Sequence, residues 1–313
     1  MTAGADHWRG LTLAFISSVS FATSGPLATA AVDAGLTAAQ TATVRIGLAA
    51  VLVFLAVAAF RPRALRFTRR DLPVLLGYGL LGVAGAQLLF FLAIARIPVG
   101  IAMLLEFLAP LYVALWIRFV RRTGLARTVW LGIGLALVGL VLVAQPWQGF
   151  TLDPIGVLAG FCSGLSTTGY FLIGEHAANT KDPFGVLAVG LLIGAAIVGC
   201  TAPPWNLPFG LLDKPVVLGG AQFPLWPVLL AIVLLSTVLA YLGGIFSLQH
   251  LSPAAASALG LLEPTTATVL AWWLLGQALS PAQVAGGLVV LGGAALVQFA
   301  TGKHVPPEAE PVS

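Results

Sequence analysis

Charged side chains are scarce in this 313-residue sequence: Asp, Glu, Lys and Arg make up 8% of it, against 59% hydrophobic residues. A water-soluble domain carries about 25% charged residues. The apolar residues form runs of about twenty, the length that an α-helix needs to cross a bilayer. A transmembrane β-barrel would instead show alternating segments of about ten residues. The composition therefore predicts an all-α polytopic membrane protein.

Cysteine and the motifs of soluble enzymes are also scarce. The two cysteines, Cys162 and Cys200, fall in predicted helices, and we expect neither a disulfide nor a metal site. The sequence has no HExxH, GxSxG or GxxxxGK[ST] motif, so it predicts no enzyme, no cofactor and no ATP-driven pump. The net charge of +4 is carried by short loops and indicates topology, not a nucleic-acid partner.

Ten apolar segments are long enough to span a bilayer. They cover about 10–30, 38–60, 72–95, 99–120, 129–146, 155–177, 183–203, 225–247, 254–274 and 281–300. With a cytoplasmic N-terminus, twelve of the fifteen Lys and Arg residues lie in inner segments, and two, Arg96 and Lys214, lie in outer loops. This positive-inside bias predicts that both termini are cytoplasmic.

An internal repeat divides the chain into two halves of five spans each. A shift of 154 residues places Pro110 on Pro264, Gly132 on Gly286, Gly139 on Gly293 and Gln87 on Tyr241, and a shift of 145 places 13–18 on 158–163. Because five is odd, the halves must have opposite orientations in the membrane. Inverted repeats around a central cavity are typical of secondary transporters. The predicted organisation is an N-terminal segment 1–9, repeats 10–146 and 155–300, and a disordered cytoplasmic tail 301–313.

Two glutamates lie inside apolar runs: Glu106 in MLLEFLAPLYVALW (103–116) and Glu263 in LLEPTTATVLAWW (261–273). A charge facing lipid costs roughly 2.5–3.5 kcal/mol on insertion scales, so we expect each to face a cavity or a partner. Each could bind substrate or relay protons, be a structural carboxyl hydrogen-bonded to backbone freed by the nearby proline, or be neutral and silent. Arg45 is expected to pair with one of these acids or with helix-end carbonyls, to hold a substrate carboxylate, or to snorkel.

Further polar and aromatic candidates line the predicted interior. Gln87 and Tyr241 occupy equivalent repeat positions, and both side chains can form hydrogen bonds to a zwitterion. Helix–helix contacts are the alternative role for such polar side chains in membranes. Tyr170 and Phe90 are candidates for aromatic walls of the cavity, or for ordinary packing.

Several stretches resemble the EamA-type members of the drug/metabolite transporter superfamily, and among these the threonine/homoserine exporters. They are PVGIAMLLEFLAP (98–110), LSTVLAYL (235–242) and LSPAAASALGLLEPTTATVLAWWLLGQALSPAQ (251–283), together with the arginine of TVRIGLAA, Arg45. The resemblance implies ten spans around a cavity lined mainly by spans one, three, four, six, eight and nine. Such proteins usually carry GE after the ninth span, where this chain has Gly276-Gln277.

The predicted function is a carrier in a bacterial cytoplasmic membrane that exports small metabolites by alternating access. The resemblance implies small amino acids such as threonine or homoserine as substrates. Proton antiport, with Glu106 carrying the proton, and facilitated diffusion both fit the sequence, and no feature defines an oligomeric state. The alternatives are a transporter for another class of metabolite or drug, a non-transporting sensor or assembly protein with the same fold, and an intramembrane enzyme.

Overall fold

The computed structural model describes residues 2–148 and 153–302, and most of the predicted tail, 303–313, lies outside them. Helices account for most of this part of the chain. Their bounds are α1 Thr2–Ala22, α2 Ser24–Asp33, α3 Ala38–Phe60, α4 Leu72–Gly77, α5 Ala86–Ile94, α6 Val99–Glu106, α7 Ala109–Phe119, α8 Arg127–Ala144, α9 Pro154–Thr180, α10 Pro183–Gly199, α11 Leu225–Val233, α12 Ala240–Ser247, α13 Pro253–Gly260, α14 Leu262–Leu275 and α15 Pro281–Gly302.

Within the described residues, nine helical stretches of 18 or more residues are apolar enough to cross a membrane. They are Asp6–Asp33, Ala38–Phe60, Leu72–Ile94, Val99–Phe119, Arg127–Ala144, Pro154–Thr180, Leu225–Ser247, Pro253–Leu275 and Pro281–Thr301. The apolar helix α10, Pro183–Gly199, is shorter, with 17 residues. The protein is therefore a mainly helical, multi-pass membrane protein.

Capping side chains define where several helices begin. At the start of α3, Thr37 and Gln40 form a reciprocal capping box with hydrogen bonds of 2.9 and 3.1 Å. Asp153 and Asp182 cap α9 and α10, and each is followed by a proline in the first helical position. A proline is tolerated there because its missing N–H would have no partner inside the helix.

Two of the long stretches are interrupted at equivalent places. Helix α6 ends at Glu106, and α13 ends at Gly260. Each end lies four residues before a proline, Pro110 or Pro264. A proline cannot donate to the carbonyl four residues earlier and its ring clashes with that carbonyl, so the regular helix stops there. The chain continues as α7 and α14 after this break.

Two other stretches contain a π-helical part that the sequence analysis did not predict. The first π segment is Tyr78–Gly85, between α4 and α5, and the second is Leu234–Leu239, between α11 and α12. The shift of 154 residues places Gly82 of the first segment on Ser236 of the second. A π-helical turn disturbs the regular i→i−4 hydrogen bonds, and such turns are frequent at functional sites.

The prediction of an all-α chain is wrong in one connection. The Pro-rich stretch after α10 contains an antiparallel hairpin, with β1 at Pro215–Leu218 and β2 at Ala221–Pro224. Its two-residue turn, Gly219-Gly220, has φ values of 58° and 79°, which glycine adopts without strain. A Gly-Gly pair between apolar runs is a hairpin signal that the proline content concealed.

Helices α8 and α15 cross with their backbones in contact. A Cβ atom added at Gly132 would lie 2.8 Å from the Gly293 carbonyl oxygen, and one at Gly139 would lie 2.7 Å from that of Gly286. Real Cβ atoms do not approach this closely, so glycine is required at both places. The shift of 154 residues places Gly132 on Gly286 and Gly139 on Gly293. The contact between Gly132 and Gly293 is therefore the repeat equivalent of the contact between Gly139 and Gly286.

A second pair of close contacts corrects the predicted register of the first span. A Cβ at Gly10 would lie 2.8 Å from the His250 Cβ, and one at Gly156 would lie 2.8 Å from the Arg96 Cβ. His250 and Arg96 are 154 residues apart, whereas Gly10 and Gly156 are 146 apart, one more than the predicted shift of 145. The apolar sequences match almost equally well at either shift, but close packing selects the register that places glycine at the contact.

Ion pairs lie at the helix ends. Lys181 Nζ is 2.7 Å from Asp71, and Arg121 Nη2 is 2.6 Å from Glu175. The hydrogen bond from Lys181, supported by the backbone N–H of Thr68, lowers the pKa of the Asp71 carboxyl to about 2. These contacts join α4, α7 and α9 at the predicted cytoplasmic rim.

Candidate functional site

Two cavities open between the halves and share part of their walls. Cavity A spans about 820 Å³ and cavity B about 1370 Å³ of space between atoms, including the open solvent at their mouths. Cavity A extends past hydroxyl side chains toward the predicted inner side, and cavity B extends past the ends of α2 and α5 toward the predicted outer side. Their shared residues are Phe21, Gln87, Glu106, Phe107 and Glu263. The candidate site is therefore the region where the two cavities meet.

The structure places both predicted glutamates in this shared wall. Glu106 is the last residue of α6, and Glu263 is the second residue of α14, so each lies beside a helix break. The Glu106 carboxyl lies beside the hydroxyls of Ser163 and Thr167, and it interacts electrostatically with Arg45. Glu263 interacts electrostatically with both Glu106 and Arg45. Two acids and one cation thus share a single interior region.

Arg45 is not paired with a glutamate, which corrects one expectation from the sequence. Its guanidinium donates three hydrogen bonds to neutral groups: Nε to Thr237 Oγ1 (3.0 Å), Nη1 to Ser24 Oγ (2.6 Å) and Nη2 to the Ser236 carbonyl (3.2 Å). Among the residues that the structure describes, no carboxylate lies within 4.0 Å of it. The second π segment supplies two of these acceptors, because Ser236 and Thr237 both belong to it.

Tyr241 forms the corresponding contact with the π segment of the first half. Its hydroxyl donates a 3.1 Å hydrogen bond to the carbonyl of Gly82, in the first π segment. Gly82 and Ser236 are the residues related by the shift of 154, so the two π segments present equivalent carbonyls. Each carbonyl is bound by a side chain from the other half of the chain, Tyr241 in one case and Arg45 in the other.

Gln87, the repeat equivalent of Tyr241, is used differently. Its side chain is half-buried and borders both cavities. No hydrogen bond joins it to another residue in the described part of the chain. An amide with two donors and an acceptor is therefore available to a ligand in the shared region.

Aromatic rings form one wall of cavity A. The Tyr241 ring packs edge-on against Phe21 at 5.0 Å and against Tyr170 at 5.8 Å, and Tyr170 packs against Phe171 at 5.0 Å. Tyr170 is buried, and its hydroxyl makes no hydrogen bond of acceptable geometry within the described residues. Phe90, the other predicted aromatic, lines cavity B instead.

The sequence analysis missed several residues of the site. Phe21 and Phe107 lie in both cavities, and Ser24, Ser236 and Thr237 surround Arg45. Ser236 and Thr237 occur in LSTVLAYL, which was noticed only for its family resemblance. Polar residues in an otherwise apolar run were the available signal. No group of three or more metal-ligating side chains occurs in the described residues.

A bundle of apolar helices with a charged, partly open interior between two similar halves is the architecture expected of a membrane transporter. Residues 8–145 and 154–299 each match the EamA-like transporter family, so the chain belongs to that family. This confirms the predicted family and class. It also confirms that the protein is not an enzyme.

Named relatives agree with this membership. The threonine/homoserine exporter RhtA of Escherichia coli (strain K12) is 32% identical over 229 residues, which are 73% of this chain and 72% of the exporter. The threonine/homoserine exporter RhtA of Salmonella typhimurium (strain LT2) is 30% identical over 256 residues, 82% of this chain and 79% of the exporter. A solved crystal structure shares the fold with a TM-score of 0.72 at 20% identity, covering 93% of this chain and 97% of the other.

Proposed function

We propose that this protein exports small amino acids, with threonine and homoserine as the leading substrates, across a bacterial plasma membrane by alternating access. The observation that carries this proposal is the meeting of two cavities at Glu106, Gln87 and Glu263, beside helix breaks in both halves. A substrate in this region would contact both halves at once. The identities of about one third to two exporters of threonine and homoserine support the choice of substrate.

The alternating-access part of the proposal rests on ten spans arranged as two inverted repeats. Four features support it: the paired helix breaks, the paired π segments, the exchanged glycine contacts of α8 and α15, and the matched contacts of Gly10 and Gly156. Contacts that recur under one shift are expected when two similar halves face each other across a pseudo-two-fold axis. Rocking of one half against the other would then expose the shared region to each side in turn.

The chemistry of the shared region suits a zwitterion. Glu106 and Glu263 can accept hydrogen bonds from an ammonium group, and Gln87 can both donate and accept. Phe21, which lines both cavities, offers a ring face for a small side chain. We propose further that export is coupled to proton entry, with Glu106 carrying the proton, because this carboxyl is shared by both cavities and also lies beside the hydroxyls of Ser163 and Thr167.

The experiment is efflux of a panel of labelled amino acids, including threonine and homoserine, from proteoliposomes, with and without a pH gradient. Wild type should release threonine and homoserine, faster with the gradient than without it. Glu106→Gln should lose the gradient dependence, whereas Glu175→Gln, a glutamate that pairs with Arg121 outside both cavities, should keep it. Absence of efflux for every amino acid in the wild type would refute the substrate class. Equal efflux with and without a gradient would refute proton coupling alone.

The proposed orientation, with both termini cytoplasmic, has a separate test. Reporter enzymes active on only one side of the membrane can be fused after residue 302 and inserted in the 204–224 connection. The fused C-terminus should report the cytoplasm, and the hairpin connection should report the opposite side. A reversed result would invert the assignment of the two cavities to the two sides.

A further inference from the structure

Arg45 differs from the other basic residues of the described chain by its location. It is only 6% exposed, it lies within α3, and it borders cavity B beside Glu263. No Lys or His side chain and no other Arg lines either cavity among the described residues. Arg45 is thus the cation that a ligand entering from cavity B would meet.

The partners of Arg45 leave its charge without a contacting anion. A buried charge is usually paired, because removing it from water is costly. Here the three acceptors are Ser24 Oγ, Thr237 Oγ1 and the Ser236 carbonyl, all neutral. They fix the orientation of the guanidinium on three sides, but they do not neutralise it. A ligand anion would find a cation that is already ordered and already partly dehydrated.

The hydrogen-bond inventory shows which donors remain. A guanidinium has five N–H groups, one on Nε and two on each Nη. Nε is used by Thr237, and each Nη donates once, to Ser24 or to Ser236. One N–H on Nη1 and one on Nη2 therefore remain unpartnered in the described structure. Two parallel N–H groups of an arginine are the usual receptor for a carboxylate, which they bind in bidentate fashion.

We propose that Arg45 binds the carboxylate of the transported substrate through the unused N–H groups of Nη1 and Nη2. Ser24, Thr237 and the Ser236 carbonyl hold the guanidinium in place for this contact. The inference rests on the proposed function, because it names the chemical class recognised at the same site. It restricts the substrates to amino acids with a free carboxylate, and it excludes their amides, their esters and simple amines.

Binding of the Ser236 carbonyl alone does not explain the choice of arginine. The equivalent carbonyl in the other half, that of Gly82, is bound by the neutral hydroxyl of Tyr241. A neutral donor is therefore sufficient to bind such a carbonyl, and a buried charge with two spare donors is not needed for it. The charge and the spare donors are accounted for when a substrate anion binds next to Arg45, with its ammonium group directed to Glu263 or Glu106.

The test is competition in proteoliposomes that transport labelled threonine. Unlabelled threonine should compete about 10- to 100-fold better than threoninamide or threonine methyl ester, the range expected for hydrogen bonds to a charged group. Arg45→Gln should abolish this discrimination, and Arg45→Lys should restore part of it. Tyr241→Phe is the matched control: it also removes a hydrogen bond to a π-segment carbonyl, so it should leave the ratio of acid to amide unchanged.

A second measurement does not depend on transport. Thermal stabilisation of the purified wild type by threonine, acetate and lactate is compared with stabilisation by the corresponding amides. Stabilisation by carboxylates that is lost in Arg45→Gln supports carboxylate binding by Arg45, even if no amino acid is transported. In that case only the proposed amino-acid export is refuted. Equal competition and equal stabilisation by acids and amides in the wild type would overturn the inference while leaving threonine export intact.

Discussion

Gln87 and Tyr241 occupy equivalent positions in the two halves, yet the structure uses them in opposite ways. Tyr241 is buried and its one donor is engaged by the Gly82 carbonyl, whereas Gln87 faces both cavities with its amide free. The carbonyl that Gln87 could have bound by analogy, that of Ser236, is bound by Arg45. Both halves thus contain a π segment. The side chain that binds the carbonyl of this segment differs: it is Tyr241 for Gly82 and Arg45 for Ser236.

The comparison shows how similar halves can give an asymmetric site. If Gln87 bound Ser236 as Tyr241 binds Gly82, no free amide would remain in the shared region. Because Arg45 takes that place, the first half contributes both a free amide and a cation with spare donors. We therefore interpret the Tyr241 contact as structural, and the Gln87 and Arg45 groups as ligand-facing. Four predictions test this distinction.

The largest effect is expected from Arg45→Leu. The substitution leaves three acceptors without their donor, and each hydrogen bond to a charged group contributes about 1.5–3 kcal/mol before compensation by the new side chain. We expect the protein to lose about 3 kcal/mol or more of stability, measured as a lower midpoint of heat-induced aggregation in detergent. A midpoint equal to that of wild type would show that the three hydrogen bonds are not formed.

Gln87→Ala should affect ligand binding and not stability. Loss of one or two hydrogen bonds to the substrate corresponds to about 1–2 kcal/mol, so the KM for threonine should rise about 10-fold. The aggregation midpoint should stay within error of wild type, because the amide has no partner in the described structure. A lower midpoint with unchanged KM would reverse our interpretation of Gln87.

Tyr241→Phe should lower stability and leave ligand binding nearly unchanged, and this effect should be smaller than that of Gln87→Ala on binding. The Gly82 carbonyl would lose one neutral hydrogen bond inside the membrane, which is about 0.6 kcal/mol on average in such settings. The ring and its contact with Phe21 remain. We expect a slightly lower aggregation midpoint and a KM for threonine within about twofold of wild type. A KM increase as large as that of Gln87→Ala would place Tyr241 among the ligand-facing groups.

Asp71 provides a contrast from outside the membrane-spanning part. Its pKa is lowered to about 2 by Lys181, so the folded state prefers the ionised carboxyl. The resulting stabilisation is complete above the ordinary pKa of an aspartate, about 4, and is lost as the pH falls toward 2. The midpoint difference between wild type and Asp71→Asn should therefore be constant from pH 5 to pH 8 and should shrink below about pH 4. A difference that changes between pH 6 and pH 8 would point to another group.

Part of this architecture could be predicted from the sequence because it depends on local chemistry. Apolar run lengths indicated the spanning helices, and the paired prolines Pro110 and Pro264 were visible as repeat positions. Their consequence, a break four residues earlier, follows from the missing N–H and the ring clash. The predicted site residues line the two cavities, which is where a polar side chain in an apolar run is expected to lie, and their roles stay predictions.

The remaining features depend on contacts between distant segments and could not be read from one sequence. Ser24 and Thr237 are 213 residues apart, and only the packing of α2, α3 and the second π segment brings both to Arg45. Because opposite charges attract, a glutamate was an expected partner for Arg45, but its three hydrogen bonds go to neutral acceptors. The repeat shift relates the positions of Gln87 and Tyr241 but does not assign their roles, because it does not show which carbonyl a side chain reaches.

The central claim is that the region around Gln87 is a water-filled binding site for the substrate. The most direct test uses a background in which Cys162 and Cys200 are replaced by alanine, with Gln87→Cys or, as the control, Leu140→Cys added. Leu140 is fully buried and lines neither cavity. A small aqueous thiol reagent should label Gln87→Cys at least about 10-fold faster than Leu140→Cys, in keeping with their different exposure, and threonine should protect the former. Equal labelling of both positions, or labelling at Gln87→Cys that no amino acid slows, would contradict the account.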